Sequence, residues 1–202
     1  MKTPTFPLLA ALVLVPVFAL APSARAAGLS AFAAQKLAAR EVNDEAKKSL
    51  VQISGKKSSI GVMPIEWQIL FYDPYADQNG TKVTVAGNTI TRIEQGYTQV
   101  DKLRLAAYKL EEVIEPAKLR KDSSDVLDIL NRSSELSKVK VSSIELWLHK
   151  EGKGPAAPAI WRTRIWAQAA GSDKEIDIGT ARINAQSGQI VELKLDLKKI
   201  QK

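Results

Sequence analysis

Cysteine is absent from the 202 residues. That removes disulfides, thiol nucleophiles, thiolate metal ligands and a lipid-modified Cys at any processing site. Histidine occurs once, at His149. One imidazole and no thiolate leave a zinc site short of ligands. A Ser-His-Asp triad would have to be built on that ring, and no G-x-S-x-G accompanies it. There is no P-loop and no Gly-rich dinucleotide fingerprint. Aromatic residues make up only 6% of the chain, so the four Trp carry much of its large apolar surface. After the first 26 residues no apolar run approaches the roughly 20 residues that span a bilayer.

The start of the chain is the one strongly apolar stretch. Lys2 precedes Leu8 to Ala21, which holds only Leu, Ala, Val, Phe and Pro16. Ala24-Arg25-Ala26 follows as an A-x-A site. A charged start, a short apolar core and small residues are the parts of a secretory signal peptide, with cleavage expected after Ala26. The run is too short, and broken by Pro16, for a stable membrane anchor. Loss of Lys2 and Arg25 lowers the formal net charge from +7 to +5. Such a mild excess could favour an anionic partner such as envelope polymers or lipid headgroups, but it reads rather as solubility, since no basic run occurs beyond Lys56-Lys57 and the Lys-rich C-terminus and none points to nucleic acid. The expected location is the periplasm or the exterior. With no disulfide to form there, stability must come from burial.

The mature chain alternates between helix and strand patterns. Ala38, Val42, Ala46, Leu50 and Ile53 recur at helical steps, which predicts a helix from Phe32 to Ile53 behind Ser30 as N-cap, with Gly55 past its end. Ile65, Trp67, Ile69 and Phe71 then alternate as a strand. Asp73 to Gly80 is a turn by composition, and 82–85 and 90–93 are strands. Between Tyr97 and Leu119, the residues Leu103, Leu105 and Leu110 fit a strand or a short helix. Asp122 opens a second helix, with Asp125 in its first turn and Val126, Leu127, Ile129, Leu130 and Leu136 as its apolar side. Strands follow at Ile144–Leu148, Trp161–Ala167 and Ile176–Ile183, with a bulge at Gly179, where the parity of apolar positions shifts. Ser187-Gly188 marks a hairpin turn into Val191, Leu193, Leu195 and Leu197.

A helix followed by antiparallel strands thus occurs twice. The expected fold is α+β, built as two helix-plus-antiparallel-sheet units, each with a helix packed on its own curved sheet. Residues 27–97 form the first unit, 98–121 a connection and 122–202 the second. The strand Ile65–Ile69 answers Ile160–Ile165, and 81–88 answers 180–188, as in an internal duplication.

Trp161 to Ala167, followed by Ala181-Arg182-Ile183-Asn184-Ala185-Gln186-Ser187-Gly188-Gln189-Ile190-Val191, resembles the PepSY domain. That family pairs an aromatic-bearing strand with one that ends in an acidic residue, a small turn, Gly and then Val or Ile. The opening Asp122-Ser123-Ser124-Asp125-Val126-Leu127 is similar to its helix start. The fuller copy covers about residues 121 to 197, and a degenerate one about 35 to 95. Asn184 stands where the family commonly has Asp, and the first copy lacks the Ser/Thr-Gly pair. The resemblance implies a non-catalytic α+β module of peptidase propeptides and bacterial envelope proteins. Peptidase inhibition is the role it suggests, and it carries over no catalytic residue and no cofactor.

Few residues argue for other chemistry. His149, at the end of a strand beside a loop, reads as an exposed edge histidine. Ser54-Gly55-Lys56-Lys57 matches S-x-x-K without its companions and reads as a helix end. Asp73, Asp77 and Asn79 could offer oxygens to calcium, but their spacing departs from the EF-hand and Asx turns explain them. Asp122, Asp125 and Asp128 read as a cap and a solvated surface.

One surface stands out as a candidate for recognition, although a second helix or the other copy covering it would make its Arg and Trp residues ordinary packing. If Trp161, Thr163 and Ile165 face the core, Arg162, Arg164 and Trp166 face outward, and Trp147 joins them by the same parity. Trp and Arg are enriched at binding hot spots. The expected function is binding of an envelope protein, a peptidase or a peptide through Trp147, Arg162, Arg164 and Trp166, or by strand addition at a sheet edge. Two alternatives remain open. One is a small-molecule or lipid carrier with a pocket between helix and curved sheet. The other is a hydrolase with a pair of facing carboxylates.

Overall fold

Ser30 and Asp122 each start a helix, and the two starts meet. The computed structural model describes residues 28–96, 107–137, 139–169 and 171–200. The expected leader, Leu103 and Leu105 lie outside the described residues. Ser30 Oγ accepts from the Ala33 amide at 3.3 Å and opens α1, Ala31–Ala38. The Asp122 carboxylate accepts from the Ser123 amide at 2.6 Å, and its own amide donates to Asp125 at 2.8 Å. This box opens α3, Ser123–Arg132. The caps are shared across the molecule. The Ala31 amide donates to Ser123 Oγ at 3.0 Å, and the Phe32 amide to Asp122 Oδ1 at 3.0 Å. Helices this short are unstable alone, so their order comes from these caps and from packing on the sheet.

The helix expected from Phe32 to Ile53 is interrupted. Val42 and Asn43 are extended, and Asn43 caps a separate short helix α2, Asp44–Lys47, accepting from the Ala46 amide at 2.9 Å. Residues Leu50–Gly55 then form strand β1. Its helical spacing is incidental: β1 has partners on both sides, and the two ladders decide its conformation. The Ser54–Lys57 stretch is therefore a strand end and its continuation, not a helix end.

The other strands are β2 (Glu66–Tyr72), β3 (Gly80–Ala86), β4 (Thr89–Gln95), β5 (Val141–Lys150), β6 (Ala159–Gln168), β7 (Glu175–Asn184) and β8 (Ile190–Leu195). They form one antiparallel sheet in the order β4-β3-β2-β1-β5-β6-β7-β8. Two separate sheets were expected. The β1–β5 ladder joins them, pairing Ile53 with Leu148, Ser54 with Trp147 and Gly55 with Leu146.

One face of the sheet is apolar. Ile53, Trp67, Phe71, Val83, Leu146, Leu148, Trp161 and Ile183 are all fully buried there. Ala31, Ala34 and Ala38 of α1 and Val126 and Leu130 of α3 cover it. The Phe32 ring lies 6.2 Å from the Trp161 ring. Gly55 is needed in this layer, because a Cβ on it would sit 2.6 Å from the Trp67 ring. Leu136, expected on the helix, lies beyond its end but is still buried.

The opposite face carries the polar half of the alternation. At one end Tyr108 covers Val51 and Leu70, forming a small separate apolar cluster. The connection is fastened by Tyr108 N–H to the Gln78 carbonyl (2.9 Å), Ile114 N–H to Leu50 (2.8 Å) and Lys121 N–H to Ala185 (2.8 Å).

The bulge at Gly179 is present. Ile165 pairs with Gly179 but Trp166 with Asp177, so Ile178 is the extra residue. Gly179 has φ +137°, and a Cβ there would collide with the Lys194 carbonyl. A second bulge was not foreseen. Arg182 pairs with Glu192 but Ile183 with Ile190, which leaves Val191 half-exposed and gives Ile190 the place expected for it.

Candidate functional site: the open Trp/Arg face

Alternation along β5 and β6 puts four chosen side chains on the open face. Trp147 pairs with Arg162, Glu145 with Arg164 and Ser143 with Trp166. Their neighbours Leu146, Leu148, Trp161 and Ile165 are fully buried on the helix side. Trp147 and Trp166 are half-buried, whereas Arg162 and Arg164 are exposed.

Both arginines are held by carboxylates. Arg162 donates from Nε to Glu151 Oε1 at 2.9 Å, and its Nη2 lies 2.9 Å from the same oxygen. Arg164 uses the same edge on Asp177 Oδ2, at 2.8 and 2.7 Å. Arg182 Nη2 donates to the other oxygen of Glu151. Pairs this exposed contribute about 0–1 kcal/mol each, so their main effect is to orient the guanidiniums. Arg164 also lies over the Trp166 ring, 5.0 Å from its centre, with Lys57 at 5.1 Å. Lys57 is itself paired with Glu175 at 2.5 Å. Trp166 is therefore flanked by two cations.

Burial alone would raise the Glu151 carboxyl, but hydrogen bonds and charge from Arg182 and Arg162 outweigh it and hold it below its usual range. His149 is not the exposed edge residue expected. It lies on central strand β5, half-buried, between Gln52 of β1 and Ile160 of β6. Burial lowers its pKa, and Arg162 lowers it further; Glu151, 3.6 Å away, opposes this, and Arg182 adds to the lowering. The ring's pKa is thus held below the usual imidazole value.

An open groove of about 750 Å³ runs over this face, lined among others by Trp147, His149, Arg162, Arg164, Arg182 and Lys194. Sequence reasoning missed Arg182, Lys194 and Glu151. Arg182 was legible, since it sits between Ala181 and Ile183, both inward and buried. Glu151 was not, because it lies just past the end of β5 and folds back over the face.

The other candidates serve the fold. Asp73 is buried and accepts from Thr81 Oγ1 (2.7 Å), Asn43 Nδ2 (2.8 Å) and the Tyr75 amide (3.1 Å). Asp122 and Asp125 are the α3 cap, and Asp128 is exposed on that helix. Among the described residues no group of three or more His, Cys, Asp or Glu is placed to hold a metal ion. The space between helices and sheet is filled by Ala31, Ala34, Val126, Leu130, Trp67 and Trp161, and the groove lies on the opposite face.

The fold and this face define an α+β protein: one eight-stranded antiparallel sheet, helices on one side, and a mixed Trp/Arg surface on the other. No family model, no curated protein and no solved structure matches the chain. No described helix is long and apolar enough to cross a membrane.

Proposed function

We propose that the chain is an exported, non-enzymatic, PepSY-like protein that binds a protein or peptide partner in the bacterial cell envelope, a peptidase being the partner the resemblance suggests. The observation that carries this is the placement of Trp147, Arg162, Arg164 and Trp166 together on an open sheet face. Rings and oriented guanidiniums around a shallow groove suit recognition of a polypeptide. Export follows from the leader pattern of residues 1–26, and places the mature chain in the periplasm or outside the cell.

In the same reading the sheet is two joined PepSY-like units, 27–97 and 122–202. Trp67 Nε1–H donates to the Leu29 carbonyl at 2.8 Å, and Trp161 Nε1–H to the Lys121 carbonyl at 2.8 Å. Each acceptor is the residue just before a helix N-cap. One shift carries Ile53 to Leu146 and Gly55 to Leu148, and so turns the pair Gly55–Leu146 into the pair Leu148–Ile53. Two four-strand runs joined at their first strands, β1 to β5, support the same reading.

The test is affinity capture from envelope extract, with a Trp147→Ala/Trp166→Ala variant alongside the wild type. An identified protein that binds the wild type, is lost by the variant and is competed by free wild type supports the reading. Equal capture by both proteins, or capture by neither, contradicts it.

A further inference from the structure

We infer that the groove takes an extended peptide segment with carboxylates at two positions one residue apart and an aromatic ring two residues beyond them. This rests on the proposed binding role and names the chemistry of the partner.

Three residues make one row. Arg162, Arg164 and Trp166 alternate along β6 and face the groove side. Residues two apart on a strand are separated by about 6.6–6.8 Å. An extended guest lying along β6 has the same repeat, so its alternate side chains meet the row one for one.

Each guanidinium has donors to spare. Arg carries five N–H groups. In both residues the Nε edge is committed to Glu151 or Asp177. The Nη1 edge is left for a second carboxylate, on side chains 55% and 50% exposed. Because the first carboxylate fixes the guanidinium plane, a guest does not pay to order it.

The charges lining the groove are complementary to such a guest. Arg162, Arg164, Arg182 and Lys194 line it as cations and Glu192 as an anion, with Lys194 paired to Glu192 at 2.6 Å. Glu151 and Asp177 hold the arginines, so one positive charge remains over. Glu151 is mostly covered, with 15% of its side chain exposed, and serves Arg162 and Arg182 from one end. Glu145, opposite Arg164, is half-buried and does not line the groove. At the end of the row, just outside the groove's lining, Trp166 presents the part of its half-buried ring that Arg164 and Lys57 leave open, and across from Arg162 Trp147, which lines the groove, presents another. These rings suit an aromatic or aliphatic residue of the guest.

Intrinsic fluorescence reads this directly, since Trp67 and Trp161 are fully buried and Trp147 and Trp166 are not. Purified protein is titrated with heptapeptides of pattern Glu-x-Glu-x-Phe and its reverse, with their Gln-for-Glu counterparts, and with a peptide whose two Glu are adjacent. An anionic polysaccharide and anionic vesicles are titrated in parallel. One alternating acidic peptide should bind at least tenfold more tightly than its Gln and adjacent-Glu counterparts. Arg162→Ala/Arg164→Ala should remove that preference, and raised salt should weaken it.

Equal binding of acidic and Gln peptides overturns the inference, as does tighter binding of polysaccharide or vesicles. If envelope capture succeeds on this face but no acidic peptide binds, the inference falls and the proposed function stands. If capture also fails, both fall.

Discussion

Trp67 and Trp161 occupy matching places: each is fully buried on the second strand of a four-strand run, and each ties its indole N–H to the backbone carbonyl just before a helix cap. This bond fixes the entry of each helix onto the sheet. Replacing either by Phe leaves a part-buried carbonyl without its donor and a void where the larger ring stood. The expected cost is about 2–4 kcal/mol for each, from the lost bond and the cavity together. Urea unfolding of Trp67→Phe and Trp161→Phe checks this. Comparable losses fit matched roles, and a loss confined to one variant does not.

Asp73 should make stability depend on acid. Burial acts to raise its carboxyl, but hydrogen bonds from Thr81 and Asn43 and the amides of Tyr75 and Ala76 outweigh burial and lower it. A lowered folded pKa means the unfolded chain binds the proton more tightly. The contribution is therefore complete above the ordinary carboxyl range near 4 and fades as pH falls through the folded value. Asp73→Asn should cost about 1–3 kcal/mol at pH 7. The gap between the two proteins should narrow in unfolding curves taken from pH 6 to pH 2.

His149 predicts a change of the same sign in a different window. Its pKa is lowered by burial first and by Arg162 next. Below the ordinary value near 6.5 the unfolded chain takes up a proton that the folded chain resists, so stability falls on acidification and is restored above it. An NMR titration of the single imidazole should give a midpoint below 6.5. Glu151→Gln removes the carboxylate that opposes the shift and should move the midpoint lower still.

Gly179 holds the β7 bulge at φ +137° against the Lys194 carbonyl. Gly179→Ala should cost about 1–3 kcal/mol in backbone strain, more with the collision, and should loosen β8 first. Hydrogen exchange should show protection lost along Ile190–Leu195 before it is lost in β5 or β6. Uniform loss across the sheet would contradict this.

Local pattern carried much of this structure and failed where partners lie far away in sequence. The caps at Ser30 and Asp122, the alternation in β2, β5 and β6 and the bulge at Gly179 all depend on neighbouring residues and were legible. The strand Leu50–Gly55 was not. Its spacing fits a helix, and only its ladders to Phe71–Trp67 and His149–Leu146 decide otherwise. The same ladder hid the single sheet and the central place of His149. The face Trp147, Arg162, Arg164 and Trp166 followed from parity alone. The carboxylates that hold it, Glu151 and Asp177, depend on loop return and on the bulge, and neither has a local signal.

The most direct test of the account is a photo-crosslink in the producing cells. p-Benzoylphenylalanine is placed at exposed Thr180 in the groove, and in a second strain at exposed Asp128 on the helix side. The account predicts a discrete protein adduct from position 180, abolished by Arg162→Ala/Arg164→Ala, and none from position 128. Adducts from position 128 alone, or from neither position, would contradict it.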